Sequence, residues 1–190
     1  LLAHQFVVGA GFFREESGDC GAPVNQLVAE LTSPAFADAV GAMLGVADLG
    51  GRPSLVTLCR LLNLRHGTIH TDSRSKIVTA LVYLNEDGPA TSGGCLRFLG
   101  RIDDIDDLVV PEVRPLYGTI VAFRRAANSF HGHLPHEGER RVVQVAWLTS
   151  EEEKLRKTRR GKFSRLFKQL FGRLDRRLGA GRDRNAAHRD

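Results

Sequence analysis

The stretch HTDSRSKIVTALVYLNEDG, residues 70–88, decides how the rest of the chain is read. It opens with His70-Thr71-Asp72. Side chains on an extended backbone alternate with a period of two, so this imidazole and carboxylate fall on one face. Ile77 to Leu84 then reads as a strand, and Asn85-Glu86-Asp87-Gly88 as the turn that ends it. Working outward, strands are expected at Leu55 to Leu64, Thr68 to Asp72, Leu96 to Leu99, Thr119 to Phe123 and Val142 to Leu148. Phe6 to Phe13 is apolar enough for one more, and Ser92-Gly93-Gly94 supplies another turn. Many short strands, with no repeated helical crossovers, predict a mainly β fold built as an antiparallel barrel or jelly roll.

Two helices are expected ahead of the strands, buttressing one sheet from outside. Val24, Leu27, Val28 and Leu31 share a helical face. Ser33-Pro34 provides an N-cap and a proline at the first helical position, opening a second helix that runs to about Leu44. Gly45 and the pair Gly50-Gly51 end the helical portion.

The net charge of +5 hides an asymmetry: residues 1–150 hold 13 Lys/Arg against 16 Asp/Glu, a balance of −3, and residues 151–190 hold 14 against 6, a balance of +8. The expected division is a globular domain over 1–150, with its core at about 50–150, and a basic amphipathic helix with a disordered tail over 151–190. Three cysteines without a C-x-x-C spacing suggest neither a disulfide framework nor a thiolate zinc site, which favours a reducing, cytoplasmic compartment. No apolar run approaches the ~18 residues that span a bilayer. The chain does not begin with Met, and its true start is expected upstream.

His131 lies some sixty residues beyond the His-x-Asp. Brought in from a distant strand, it would complete two histidines and one carboxylate on one face of a metal. That facial set leaves positions open opposite and is the donor set of non-haem Fe(II) oxygenases. The neighbouring His133 shares the face of His131 if the segment is extended, so it lines the pocket or supports the ligands. Asp103-Asp104-Ile105-Asp106-Asp107 lacks the turn glycine and terminal Glu of a calcium loop and reads as a solvated loop.

His70-Thr71-Asp72, Tyr83-Leu84-Asn85, Gly93-Gly94-Cys95-Leu96, Ile120-Val121-Ala122-Phe123, His131 and Gly138-Glu139-Arg140-Arg141 follow one another in order. In this order the chain resembles the 2-oxoglutarate/Fe(II)-dependent dioxygenases, in particular their prolyl-4-hydroxylase-like branch, over roughly residues 50–150. The resemblance implies a double-stranded β-helix and oxidative hydroxylation, with 2-oxoglutarate decarboxylated to succinate and CO2. It implies Fe(II) on His70, Asp72 and His131, 2-oxoglutarate as co-substrate, and ascorbate as an optional reductant. The far carboxylate of 2-oxoglutarate needs a cation with fork geometry, and Arg140 and Arg141 both stand in the Gly-x-Arg frame. Strand alternation puts Trp147 on the face of Arg141, which favours Arg141. Tyr83 matches the position that hydrogen-bonds the same carboxylate. Family members often carry a Tyr about ten residues before the His-x-Asp; Arg60 stands there and is expected to alter the pocket's shape or polarity.

In the tail, Phe163, Leu166, Phe167, Leu170, Phe171, Leu174 and Leu178 form one helical face among Lys and Arg. An anionic membrane surface and self-association through 162–178 are the expected partners, with nucleic acid ranked behind them. The protein would then be cytoplasmic and peripheral to a membrane. The primary substrate, an organic or protein molecule, is left open. The rival reading is a non-catalytic jelly-roll module that binds a ligand or metal and is tethered by this helix.

Overall fold

The computed structural model describes residues 21–64, 66–88 and 91–158. The expected strand at Phe6 to Phe13, the apolar face of 162–178 and the tail beyond it lie outside the described residues. The chain is mainly β with a few helices, in the order α1 (Ala22–Leu31), α2 (Pro34–Leu44), β1 (Ser54–Leu62), β2 (Lys76–Tyr83), β3 (Arg97–Leu99), β4 (Ile120–Arg124), β5 (Phe130–Gly132) and β6 (Gly138–Leu148). A last helix, α3, covers residues 151–158.

The helices form where their end signals stand. Ser33 Oγ accepts from the Phe36 backbone N–H at 3.2 Å, satisfying one of the donors that a helix start leaves free. Gly45 closes α2 in the left-handed region at φ 64°, a conformation that costs glycine nothing.

One sheet has the strand order β1-β6-β2-β4, antiparallel throughout. A smaller sheet pairs β3 with β5, and single bridges extend it from His70 to His131, from Leu96 to Val113 and from Leu99 to Leu108. The expected strand from Thr68 to Asp72 is thus a single bridge at His70. The period of two divides the large sheet cleanly. Val78, Ala80, Val82, Val143, Val145 and Trp147 point to one core, where Val28, Leu31, Ala37 and Val40 of the helices meet them. Leu81, Tyr83 and Val142 point the other way, into a core shared with Leu96 and Phe98 of the smaller sheet. The chain therefore stacks as helices, large sheet and small sheet. The candidate functional residues lie between the two sheets.

Candidate metal centre

His70, Asp72 and His131 converge. Each offers a ligand atom, and these atoms all lie within 4.8 Å of one another. The bridge between His70 and His131 explains the meeting of residues so far apart in sequence: each backbone N–H donates to the other's carbonyl, at 3.0 and 2.9 Å. The two rings lie 4.4 Å apart, and His131 also packs 4.7 Å from Phe123. Close backbone approach behind the site depends on Gly67, at φ 101°, because a side chain there would run into the His133 carbonyl.

The imidazoles are oriented as metal ligands require. His70 Nδ1 lies 2.9 Å from the Thr68 carbonyl, and His131 Nδ1 lies 2.9 Å from the Ser129 carbonyl. A carbonyl only accepts, so in the neutral form of either ring Nδ1 carries the proton and Nε2 keeps its lone pair for a metal. Burial pushes the His131 pKa down, helped by the neighbouring His70, against the Ser129 carbonyl bond and the Asp72 charge. Its neutral, ligating form is thereby favoured. Asp72 is buried, and that burial alone would raise its carboxyl. The Lys76 ammonium and the hydrogen bonds from Lys76 and Thr79 outweigh it and hold the group below its ordinary value. Asp72 and His131 are buried while His70 is exposed, so the centre is walled on one side and open on the other.

The triad lines a cavity of about 190 Å³ that it shares with Thr68, Lys76, Thr79, Phe123, His133, Gln144 and Arg140. Arg140 is 8% exposed; its Nη2 donates to the Tyr83 hydroxyl at 3.0 Å and its Nε to the Gly94 carbonyl at 2.9 Å. Burial, reinforced by Cys95 and Cys59 and opposed by Arg140, raises the Tyr83 pKa, so its O–H stays intact. The hydroxyl oxygen accepts from Arg140, which leaves its hydrogen free to donate to an anion. The same enclosure pushes the Cys59 thiol up to about 12, burial outweighing the Arg140 charge, so that thiol is inert.

Between the two candidate arginines the register gives a different answer from the strand-alternation expectation. Tyr83 pairs with Val142, and Arg140 lies two residues before Val142 on the same face. Arg141 points outward and pairs with Glu139 at 2.7 Å. Trp147 does share the face of Arg141, but that face meets the helices, with Phe36 6.2 Å away. Arg60 also stands apart from the cavity, bound to Glu139 at 2.7 Å. His133 lines the cavity, its Nδ1 2.8 Å from the Leu134 carbonyl. Lys76 and Thr79, which both grip Asp72, went unrecognised in the sequence; the signal was a lysine four residues after the carboxylate, across a tight turn.

The donor set suits a divalent metal through two imidazoles and one carboxylate, and the Arg140–Tyr83 end suits a carboxylate. Residues 59–149 match the 2OG-Fe(II) oxygenase superfamily. No curated protein matches the chain in sequence. Among solved structures, the chain is similar to a prolyl-4-hydroxylase from Pseudomonas putida at TM-score 0.51 and 21% identity, over 71% of this chain and 69% of that one. It is also similar to a prolyl 4-hydroxylase from Phytophthora capsici (TM-score 0.46, 21% identity, 67% and 45% covered). A third likeness is to an oxidoreductase of the 2OG-Fe(II) oxygenase family from Burkholderia pseudomallei (TM-score 0.45, 14% identity, 65% and 56% covered). The stretch that matches the 2OG-Fe(II) oxygenase superfamily, whose enzymes use Fe(II) and 2-oxoglutarate, takes in the whole of the converging triad.

Proposed function

We propose that this dioxygenase hydroxylates a C–H bond of an organic or protein substrate, with His70, Asp72 and His131 holding the metal. The observation that carries the reading is the convergence of three ligand atoms within 4.8 Å, with both Nε2 lone pairs left free. In this reading the two sheets are the halves of a double-stranded β-helix, and the bridges from His70 to His131 and from Leu96 to Val113 complete the smaller half. Bound Fe(II) with 2-oxoglutarate would activate dioxygen, the oxidant, one oxygen atom ending in the substrate hydroxyl and the other in succinate, with CO2 released.

The chain's own residues bind, orient and shield. Arg140 and the Tyr83 hydroxyl take the far carboxylate of 2-oxoglutarate, Arg140 as a buried cation and Tyr83 as a neutral donor. Phe123 packs against His131, with ring centroids 4.7 Å apart, and helps to hold that ring in place. The exposed side of His70 is where substrate approaches.

Succinate release from 2-oxoglutarate with added Fe(II) tests the proposal. Wild-type protein is expected to turn over 2-oxoglutarate slowly even without its primary substrate. Loss of a direct ligand costs more than the ~10–100-fold typical of an outer partner, so Asp72→Ala should fall by at least about 100-fold. Absence of both turnover and Fe(II)-dependent 2-oxoglutarate binding in the wild type would sink the assignment.

A further inference from the structure

Asp72 is held by two groups that do not belong to the triad. Lys76 Nζ donates to Oδ1 at 2.5 Å and Thr79 Oγ1 donates to Oδ2 at 2.5 Å, so both carboxylate oxygens are occupied. The pair is shielded, with side-chain exposures of 14% for Lys76 and 7% for Asp72. The backbone fixes this grip. A turn closed by the Lys76 N–H on the Ser73 carbonyl, at 2.9 Å, sets Lys76 four residues beyond Asp72, and β2 then carries Thr79 to the other oxygen. Lys157 of α3 donates to Ser73 Oγ on the same turn at 2.8 Å, bringing a second ammonium to this neighbourhood. A dication arriving at the two Nε2 atoms must therefore take an Asp72 oxygen while an ammonium group already lies against that carboxylate.

We infer that Lys76 is a positioning residue that stands in for the metal, holding the Asp72 carboxylate aimed at the imidazoles before loading and opposing the dication that takes its place. The inference rests on Asp72 being a metal ligand. Lys76 acts oppositely on the two states. In the metal-free protein it pairs a buried anion that would otherwise keep only the neutral Thr79 hydroxyl as its donor. In the loaded protein it is a unit positive charge a few ångströms from a dication, which weakens metal binding by at least about tenfold even at a surface-like dielectric. The site is thereby formed without metal and loads reversibly.

Mn(II), a redox-inert stand-in for Fe(II), tests this on the full chain. Affinity is read from the spin-resonance signal of free Mn(II), and melting is recorded with and without the metal. Lys76→Met is expected to bind Mn(II) at least about tenfold more tightly. Its metal-free form should melt lower, so the rise in Tm on adding Mn(II) grows. Lys76→Gln keeps a donor without the charge and should shift the same way, which covers the case that Lys76→Met does not fold. Lys76→Arg keeps the charge and should stay within about threefold of wild type, as should Thr79→Val, which removes only a neutral donor. Unchanged or weaker affinity in the charge-removing variants overturns the inference, and so does an equal gain in Thr79→Val. Asp72→Ala separates the two levels: wild-type Mn(II) affinity there would remove the ligand assignment itself, whereas lost Mn(II) binding with no gain in Lys76→Met would remove only the role of Lys76.

Discussion

Arg140 lies with its guanidinium 5.1 Å above the Tyr83 ring and donates to that ring's hydroxyl, while one residue later Arg141 pairs with Glu139 in solvent. Truncating a buried, hydrogen-bonded cation that meets a carboxylate costs several kcal/mol, whereas an exposed pair is worth little. Arg140→Ala is therefore expected to weaken 2-oxoglutarate binding on the order of 100-fold. Arg141→Ala should stay within about threefold, and titration of each variant with 2-oxoglutarate in the presence of Mn(II) checks both. Equal losses would mean that the strand is out of register with its observed pairing. The convergence of the three ligands was legible because His70 and Asp72 sit two apart in sequence and His131 follows Phe123 in the order that the resemblance requires. Which arginine faces the cavity beside Tyr83 was not legible. Tie-breaking by alternation needs one wet face and one dry face, but β6 is covered by helices on one side and by the smaller sheet on the other. Trp147 marked a face correctly, and that face was the helix side.

At the scale of elements, the segment between β3 and β4 depends on one side chain. Arg97 in β3 is buried; its guanidinium reaches Asp106 at 2.6 Å, the Ile105 carbonyl at 3.2 Å and Glu112 at 2.9 Å. It thus pins both ends of a loop whose chain also bridges Leu99 to Leu108 and Leu96 to Val113. Breaking a buried pair costs about 3–5 kcal/mol, but Asp106 is largely exposed, so Arg97→Ala should destabilise by about 2 kcal/mol. Denaturant unfolding reads this value, and faster proteolysis within 100–112 should accompany it; a change in neither would mean that the bridges alone hold the loop. The sequence suggested only a solvated acidic loop here. Its aspartates do lie at the surface, but Arg101 pairs with Asp104 and Asp107 while Asp106 serves Arg97. Such pairings depend on where the chain returns, which local patterning does not encode. The helices were more legible because their signals are local: Ser33, Pro34 and Gly45 stand at the observed ends of α2.

Considered whole, the stack of helices and two sheets buries His131 and half-buries His133, and this sets how the metal-free protein responds to acid. Burial is the main cause lowering the pKa of both His131 and His133, with His70 and Lys76 adding to it at His131 and Arg140, His66 and His136 at His133. The Ser129 and Leu134 carbonyls oppose the shift without cancelling it. In the unfolded chain both groups return to about 6.5, so below that pH the unfolded state binds more protons than the folded one. Stability is then lost as pH falls through 6.5, and the loss continues until the lowered folded-state values are reached. Asp72 adds a separate loss at lower pH, beginning only near its unfolded value of 3.8, because its folded carboxyl is held below that. The sequence pointed to the cluster of histidines after Phe130, but the sign of their effect depends on enclosure that only the packed sheets supply. Melting of metal-free protein should drop by roughly 3–8 °C between pH 7.5 and 5.5. His133→Gln removes one of the two groups and should shrink that drop by about half. A melting curve that is flat across this range would mean that both rings take up protons as easily as in the unfolded chain, and that the space between the sheets is wetter than the packing around Phe123 and Tyr83 implies.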